Sequence, residues 1–266
     1  MVGDPGRPKA ISTARKKSDT LDAQLLANLL RCNLFPECLM APSQVRELRR
    51  VLRYRNKLVG ESTRMKNNVA RLLMETGMEY NKKKLHGQRY FGELLQQLEL
   101  PASVLNLLRM TRAGVDFFQS RQRYLLAALA KDPRLQARME RLMSIPGVAQ
   151  VTALSWILEV WNPHRFSNRR QVIRYCGLCS AQRESAGKSR RGPLSKKRNA
   201  HLQTIMIEAA KLAVRYQATL AAGYARALAT TGRRNLAMLA VARKLAGYLL
   251  AVDRRWQTEQ EKKAAA

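Results

Sequence analysis

The chain has 266 residues, of which 46% are hydrophobic, so it can bury a sizeable core and general disorder is not expected. Lysine and arginine number 49 against 19 acidic residues, which gives a formal net charge of +30. A charge of this size repels itself in a compact fold unless a polyanion neutralises it, so nucleic acid is the expected partner. A ribosomal or RNA-packaging protein would show the same balance, so charge alone predicts the class of partner and not the task.

A membrane or disulfide-rich secreted protein is not expected. The stretch from Met1 to Lys17 is basic and polar, and no run of about 18 apolar residues stands out, which predicts neither a secretory signal nor a membrane span. Four cysteines in a chain of this length favour a reducing, cytoplasmic compartment. Cys176 and Cys179 form a C-x-x-C pair, but the other two lie far away at the wrong spacing for zinc. We expect the cysteines to pack rather than to bind metal.

The first predicted elements are helical. Glycines and prolines near the start predict an irregular basic lead-in over residues 1–18, and Ser18 can cap a helix over about 19–31. From Ser43 to Thr76, and again after Pro101, apolar residues recur at helical, nearly heptad spacing, which predicts two long helices packed as an antiparallel hairpin. The seam of the first helix consists of Val45, Leu48, Leu52, Val59, Val69 and Leu73, interrupted by Arg55, Ser62 and Lys66. The matching face of the second consists of Val104, Leu107, Leu108, Thr111, Val115, Phe118, Leu125 and Leu129.

The rest of the chain predicts further helices around one polar segment. Asp132-Pro133 ends the predicted helical hairpin. Short helices are expected on either side of a turn at Ile145-Pro146-Gly147-Val148. Residues 179–195 are polar and basic, which predicts a loop with at most a short strand near 178–183. Two or three more helices complete a fold that we expect to be mainly α.

A pair of carboxylates opens the first predicted helix. Asp19 and Asp22 are three residues apart, so both project from one face, and Lys16 and Lys17 precede them. Mg²⁺ prefers oxygen ligands and commonly takes only one or two from protein, which makes this pair a candidate metal site. The alternative is that acidic residues here only stabilise the helix N-terminus through its dipole, and spacing alone favours that alternative.

Gly147 lies in the tight turn between two predicted helices. A glycine at such a turn lets backbone N–H groups approach a phosphate, with help from the positive end of the following helix. Helix-hairpin-helix elements bind DNA in this way without reading its sequence. A plain interhelical turn explains the same residues equally well.

The densest cluster of positive charge lies between Arg183 and Arg198. Seven cations stand there within sixteen residues, beside two glycines and three serines. The predicted phosphate-binding residues are Arg183, Lys188, Arg190, Arg191, Lys196, Lys197 and Arg198. A serine among them could attack phosphorus, because the surrounding cations stabilise the charge that develops. The alternative is a solvated loop that binds phosphate and does no chemistry, and the residues taken alone favour it.

Taken together and in this order, these segments resemble the insertion-sequence-110 transposase family. Lys17-Ser18-Asp19-Thr20-Leu21-Asp22-Ala23 looks like the third and fourth acidic positions of the family's Asp-Glu-Asp-Asp metal site. The turn at 145–148, followed by Thr152-Ala153, resembles the opening of its C-terminal domain. The match continues in register through Arg165-Phe166, Tyr175-Cys176-Gly177-Leu178, Glu184-Ser185, Gly187-Lys188 and Leu194-Ser195-Lys196.

The resemblance implies a DNA transposase with a RuvC-like nuclease-type domain, a helical middle and a C-terminal domain that carries a nucleophilic serine. Asp19 and Asp22 would bind Mg²⁺. Ser185 matches the family's nucleophile and would attack a DNA phosphodiester to form a covalent phosphoserine link, with Ser189 as its nearest competitor. Family members act as oligomers guided by a structured noncoding RNA, so the implied partners are DNA at the element ends and target, a guide RNA and further copies of the chain.

One departure from the family pattern concerns the N-terminus. The family's first Asp and its Glu both lie ahead of the Asp-x-x-Asp segment, whereas only Asp4 precedes Asp19 here, so we expect an N-terminally truncated RuvC-like domain. The expected domains are a RuvC-like remnant over 1–42, a helical hairpin or coiled-coil arm over 43–132, a serine transposase domain over 133–255 and a disordered tail over 256–266. Two functions stay open, an active transposase and a truncated, inactive remnant that still binds nucleic acid through residues 145–198. A basic RNA-binding structural protein would leave the ordered motifs unexplained.

Overall fold

The computed structural model describes residues 18–35, 37–97, 99–185, 188–196 and 198–265, with the backbone alone for the described positions between 182 and 191. The chain divides between Arg46 and Glu47 into two compact units. The helices are α1 (Asp19–Arg31), α2 (Ser43–Glu75), α3 (Gln88–Gln97), α4 (Ala102–Ala130), α5 (Pro133–Met143), α6 (Gln150–Val160), α7 (Arg169–Tyr175), α8 (Ala200–Tyr216), α9 (Ala218–Thr231) and α10 (Arg234–Ala265), with a 3₁₀ turn at Pro163–Arg165. The strands are β1 (Ser180–Ser185) and β2 (Lys188–Leu194). The prediction of a mainly α fold is confirmed.

In the N-terminal unit, α1 begins and ends where the sequence predicted. Ser18 precedes the helix in extended conformation, and its carbonyl oxygen accepts a hydrogen bond from the N–H of Asp22 at 3.0 Å. The Ser18 hydroxyl makes no capping hydrogen bond, which differs from the prediction. At the other end, Asn33 has a φ of 53°, the left-handed conformation that commonly ends a helix. No residue of α1 is fully buried, so the interactions at its two ends, and not burial in a core, define this helix.

In the second unit, α2 and α4 run antiparallel, as the two apolar stripes predicted. Leu73 near the end of α2 and Leu108 near the start of α4 belong to one buried cluster, which α3 completes. Nearer the start of α2, Gln122 Nε2 donates to the carbonyl oxygen of Leu58 at 2.9 Å. The apolar faces depart from the prediction on both helices: on α2, Leu58 is buried while Val59 is 36% exposed, and on α4, Leu107 is 51% exposed.

The C-terminal helices pack around α10, which contacts α5, α7, α8 and α9. A buried ion pair joins three helices of this bundle. Arg138 on α5 donates through Nε and Nη2 to the carboxylate of Asp253 on α10 at 2.7 and 2.8 Å. Trp156 on α6 donates through Nε1 to the same carboxylate at 2.8 Å. Three hydrogen bonds therefore compensate the burial of this charge.

α10 differs from the predictions in two respects. By length and composition alone it could cross a membrane, although no such run was expected. Several of its apolar residues, including Leu245 and Leu249, are buried against the other helices of the bundle, as in a core helix of a helical bundle. The helix also continues to Ala265, where we expected a disordered tail over 256–266. Arg255 and Glu259 form an ion pair one turn apart at 3.3 Å, which supports this last stretch locally.

The largest correction concerns residues 179–195, where we predicted a loop. These residues form an antiparallel hairpin of β1 and β2, of which at most the first strand was expected. Main-chain pairing holds such a hairpin together, and this pairing does not itself require apolar alternation in the sequence.

Candidate active site on a cationic hairpin

The register of the hairpin brings the predicted nucleophile beside a lysine. Ser185, the last residue of β1, pairs with Lys188, the first residue of β2, and Arg183 pairs with Arg190. The connecting residues 186–187 lie outside the described residues. Alternate residues of a strand and their cross-strand partners share one face of a hairpin. By register, Ser185 therefore shares a face with three of the predicted cations.

The same register separates the two candidate serines. Ser189 pairs with Glu184, and Arg191 pairs with Gln182. These residues alternate with the row that contains Ser185, so they belong to the opposite face of the hairpin. The direct cross-strand partner of Ser189 is therefore the acidic residue Glu184 and not a lysine or arginine.

Main-chain hydrogen bonds close the base of the hairpin. The N–H of Ser195 donates to the carbonyl oxygen of Cys179, and the N–H of Asn199 donates to that of Tyr175, each at 3.1 Å. The segment that enters the hairpin, Tyr175–Cys179, therefore lies beside the segment that leaves it, Ser195–Asn199. We call these two segments the hairpin base.

Helices α8 and α10 hold the entering segment. Gln203 on α8 donates through Nε2 to the carbonyl oxygen of Gly177 at 2.6 Å, and Arg243 on α10 donates through Nε to that of Leu178 at 2.7 Å. Gly177 has a φ of 70°, and a Cβ there would lie 2.6 Å from the Cβ of Arg198. Both the backbone conformation and the close approach of Arg198 therefore require glycine at this position.

The remaining predicted cations follow β2 or precede α1. Lys196 and Arg198 are exposed, and Arg198 donates through Nη1 to the carbonyl oxygen of Ser195 at 2.8 Å. Lys16, Lys17 and Lys197 lie outside the described residues. The described part of this segment thus has cations at the surface of the hairpin base.

Gly147, the predicted phosphate-contact residue of the 145–148 turn, has a φ of 87°. Its α-carbon faces α8 so closely that packing alone accounts for glycine here. A phosphate contact by the backbone of this turn stays a prediction.

Asp19 and Asp22 lie in the first turn of α1, with Asp19 exposed and Asp22 half-buried. Over the described ranges, no three His, Cys, Asp or Glu side chains are grouped so that they could hold a metal ion. The pair itself offers carboxylate oxygens, the ligands that Mg²⁺ prefers, in the number that it commonly takes from protein. The donor chemistry of these two residues therefore fits Mg²⁺.

The cysteines are free thiols. Cys176 is buried, and this burial raises the pKa of its thiol to about 12, so it packs as an apolar side chain, as expected. Cys32 and Cys38 are exposed, so the packing prediction is wrong for them.

Two family models match the chain. Residues 139–225, which contain the hairpin and α8, match the transposase family described as IS116/IS110/IS902. Residues 6–78, which contain Asp19 and Asp22, match a transposase model labelled for the DEDD transposases of IS110. The chain belongs to the IS110 family of transposases. The resemblance drawn from the motifs is confirmed.

Curated relatives of this IS110-family chain are transposases by name. The "Probable family 20 transposase" of Pseudomonas aeruginosa is 27% identical over 166 residues, which cover 61% of this chain and 49% of that protein. The transposase for insertion sequence element IS1111A of Coxiella burnetii is 28% identical over 208 residues, which cover 75% of this chain and 56% of that protein. The chain thus spans about half the length of these relatives.

Sequence reasoning missed a group of residues behind the hairpin of this IS110-family chain. Glu159 on α6 is 1% exposed, and its two carboxylate oxygens accept hydrogen bonds from Arg53 on α2 at 2.7 and 2.8 Å. Asn199 at the hairpin base donates through Nδ2 to Glu159 Oε2 at 2.8 Å. A lone acidic residue in an apolar helix does predict a partnered charge, and an Asn ahead of a helix predicts a cap. Neither signal predicts that these residues meet.

The partners of Glu159 favour its ionised form. Burial acts to raise the pKa of Glu159, but hydrogen bonds from Arg53 and Asn199, with the charges of Arg53 and Arg49, outweigh it and lower that pKa below its ordinary value. The hydrogen bond to Glu159 raises the pKa of Arg53 in turn. Arg49 also donates through Nε to the carbonyl oxygen of Leu158 at 2.8 Å. Two arginines of α2 therefore hold the end of α6.

Proposed function

We propose that this chain acts in a DNA transposase that cuts and rejoins DNA, with Ser185 as the nucleophile. The family match over residues 139–225 supports this function. The observation that carries the choice of serine is the hairpin register, by which Ser185 shares a face with Arg183, Lys188 and Arg190. Several cations on one face suit the oxygens of a DNA phosphate.

The reaction exchanges one phosphate ester for another. The Oγ of Ser185 forms a bond to phosphorus while the bond from phosphorus to one sugar oxygen breaks. The serine gives up its proton to a base, and the departing sugar oxygen takes up a proton. The phosphoserine ester conserves the bond energy, so a sugar hydroxyl can attack it in the reverse sense and release the serine. Arg183, Lys188 and Arg190 stabilise the negative charge that develops on the phosphate oxygens.

The carboxylates of α1 would bind Mg²⁺. The DEDD label of the model that matches residues 6–78 supports the use of a divalent metal in general, and Asp19 and Asp22 supply oxygen ligands. When bound, Mg²⁺ would orient a phosphate and polarise its oxygens. Lys16 and Lys17 would contact the nucleic acid beside this pair, and the backbone of Gly147 would add a further phosphate contact.

The proposed partners are DNA at the element ends and target, a noncoding guide RNA and further copies of the chain, all in the cytoplasm. The net charge of +30 supports simultaneous contact with two nucleic acids. Lys196, Lys197 and Arg198 would extend the phosphate-binding surface from the hairpin to its base, and Arg191 would contact nucleic acid from the opposite face of the hairpin.

A denaturation-resistant adduct tests the nucleophile. The protein is incubated with its element's DNA, the adjacent noncoding RNA and Mg²⁺, and then separated on a denaturing gel. We expect a protein–DNA adduct with the wild type and with Ser189→Ala, and none with Ser185→Ala. An adduct that survives Ser185→Ala contradicts the assignment. Salt-sensitive binding without any adduct supports the alternative of an inactive nucleic-acid-binding remnant.

A further inference from the structure

Glu159 lies where the hairpin base meets α2. Its carboxylate oxygens accept from Arg53 on one side, and Oε2 also accepts from Asn199 on the other. Charge-assisted, bidentate hydrogen bonds are directional as well as strong. The position of Asn199 is therefore fixed relative to α2 through a single buried carboxylate.

Residue 159 holds the entering segment as well. The hydroxyl of Tyr175 donates to the main-chain carbonyl oxygen of Glu159 at 2.9 Å, and Asn199 Nδ2 lies 3.4 Å from the same hydroxyl. Asn199 also caps α8, because its Oδ1 accepts from the N–H of Leu202 at 3.1 Å. Both segments of the hairpin base are thus bonded to one residue of α6.

The ring of Tyr175 is itself held in place. The guanidinium carbon of Arg165 lies 4.4 Å from the ring centroid of Tyr175 and 4.5 Å from that of Phe166. Stacking of this kind restrains the ring and keeps its hydroxyl directed at Glu159. The Arg165-Phe166 pair, part of the sequence resemblance, thereby supports the hairpin base from the entering side.

We propose that Glu159 is a positioning residue. With Tyr175 and Asn199 it links the β1–β2 hairpin, which contains Ser185, to α2, so that α2 fixes the orientation of this hairpin. The consequence for strand transfer rests on the proposed function, whereas the positioning itself does not. A nucleophile must be held within a fraction of an ångström of its productive place, and residues behind it provide that support.

The chain contains a matched control for this link. Arg138 and Asp253 form a second bidentate ion pair on a buried carboxylate, at 2.7 and 2.8 Å. Its third partner is Trp156, and the pair makes no hydrogen bond to the hairpin base in the part of the chain that the structure describes. The general effect of removing an arginine from a buried carboxylate can therefore be separated from the loss of the link to the β1–β2 hairpin.

The first experiment measures amide hydrogen exchange in Arg53→Met, Arg53→Lys and Arg138→Met, each compared with wild type brought to the same global stability with denaturant. In Arg53→Met, the amides of Ser195 and Asn199 should exchange about tenfold faster, which corresponds to ~1.4 kcal/mol. Arg53→Lys keeps the charge without the bidentate geometry and should lie between Arg53→Met and wild type. At these amides, Arg138→Met should exchange at the same rate as wild type of equal global stability. Equal exchange in Arg53→Met and Arg138→Met overturns the proposal.

The second experiment measures the rate of adduct formation at saturating DNA, with the DNA affinity measured separately. Arg53→Met should slow adduct formation more than it weakens binding, and Arg138→Met should keep the wild-type rate. Faster exchange at the hairpin base with an unchanged adduct rate overturns the role in the reaction. If the wild type forms no adduct, the proposed function fails, and the exchange result alone decides whether Glu159 positions the hairpin.

Discussion

A Cβ placed on Gly147 would lie 2.4 Å from the Cα of Ala213 and 2.6 Å from its backbone nitrogen. Backbone atoms of a buried helix cannot move aside as a flexible side chain can. Gly147 also has a φ of 87°, which side chains other than glycine rarely adopt. The 145–148 turn is therefore packed directly against α8, the helix that begins at the hairpin base.

Gly147→Ala should destabilise the free protein by about 2–4 kcal/mol, since both an unfavourable φ and overpacking oppose the new methyl group. Chemical denaturation without nucleic acid measures this loss. Gly60→Ala is the control, because nothing lies within 4 Å of a Cβ at that helical position. It should stabilise the protein by about 0.5–1 kcal/mol. If Gly147→Ala unfolds like the wild type, packing does not explain Gly147, and a contact with phosphate becomes the better explanation.

Asp253→Ala should cost about 3–5 kcal/mol in the free energy of unfolding, because it leaves the Arg138 guanidinium buried without its partner. The Asp253 side chain is fully buried and accepts from both Arg138 and Trp156. Glu259→Ala, which breaks the exposed pair with Arg255, should cost less than about 1 kcal/mol. Urea denaturation of the two variants makes the comparison. A loss at Asp253 as small as that at Glu259 would mean that the buried pair contributes little.

The helices could be predicted because their signals are local. Ser18 with Asp19 and Asp22 marked the start of α1, and Asp132-Pro133 marked the start of α5, where the Asp132 carboxylate does accept from the N–H of Arg134 at 2.9 Å. Apolar spacing likewise predicted that α2 and α4 pack together. Periodicity gives the face of a helix to within about one residue, and it did not predict that Leu58 rather than Val59 is buried.

The hairpin and the Glu159 link could not be predicted in the same way. The residues of β1 and β2 are polar and lack apolar alternation, and Gln203 and Arg243, which hold the segment before them, lie 26 and 65 positions from their acceptors. Glu159 meets Arg53 across 106 positions and Asn199 across 40. Contacts of this range depend on how the helices pack, which no local pattern contains.

The stability that Glu159 contributes should depend on pH in the acidic range. Its folded-state pKa lies below the ordinary value of 4.5, so the folded state binds fewer protons than the unfolded state as pH falls through this range. The contribution is then complete above about pH 4.5 and is lost as pH falls through the lowered folded-state pKa. Urea denaturation of wild type and Glu159→Gln should show a difference that is constant from neutral pH to about 4.5 and narrows below it. A difference that stays constant at acid pH would show that the folded-state pKa of Glu159 is not lowered.

Removal of two lysines at the hairpin base should lower the salt dependence of nucleic-acid binding. Lys196→Ala with Lys197→Ala removes two cations that would contact phosphate, so the slope of log affinity against log salt should become shallower by about 0.9 per lost contact on duplex DNA. Lys262→Ala with Lys263→Ala is the matched control, because it removes the same charge from exposed positions in the last turn of α10. Fluorescence anisotropy over a series of salt concentrations gives both slopes. An unchanged slope in the first variant means that these lysines do not touch phosphate, whereas an equal change in both variants means that net charge, and not a contact at the hairpin base, sets the affinity.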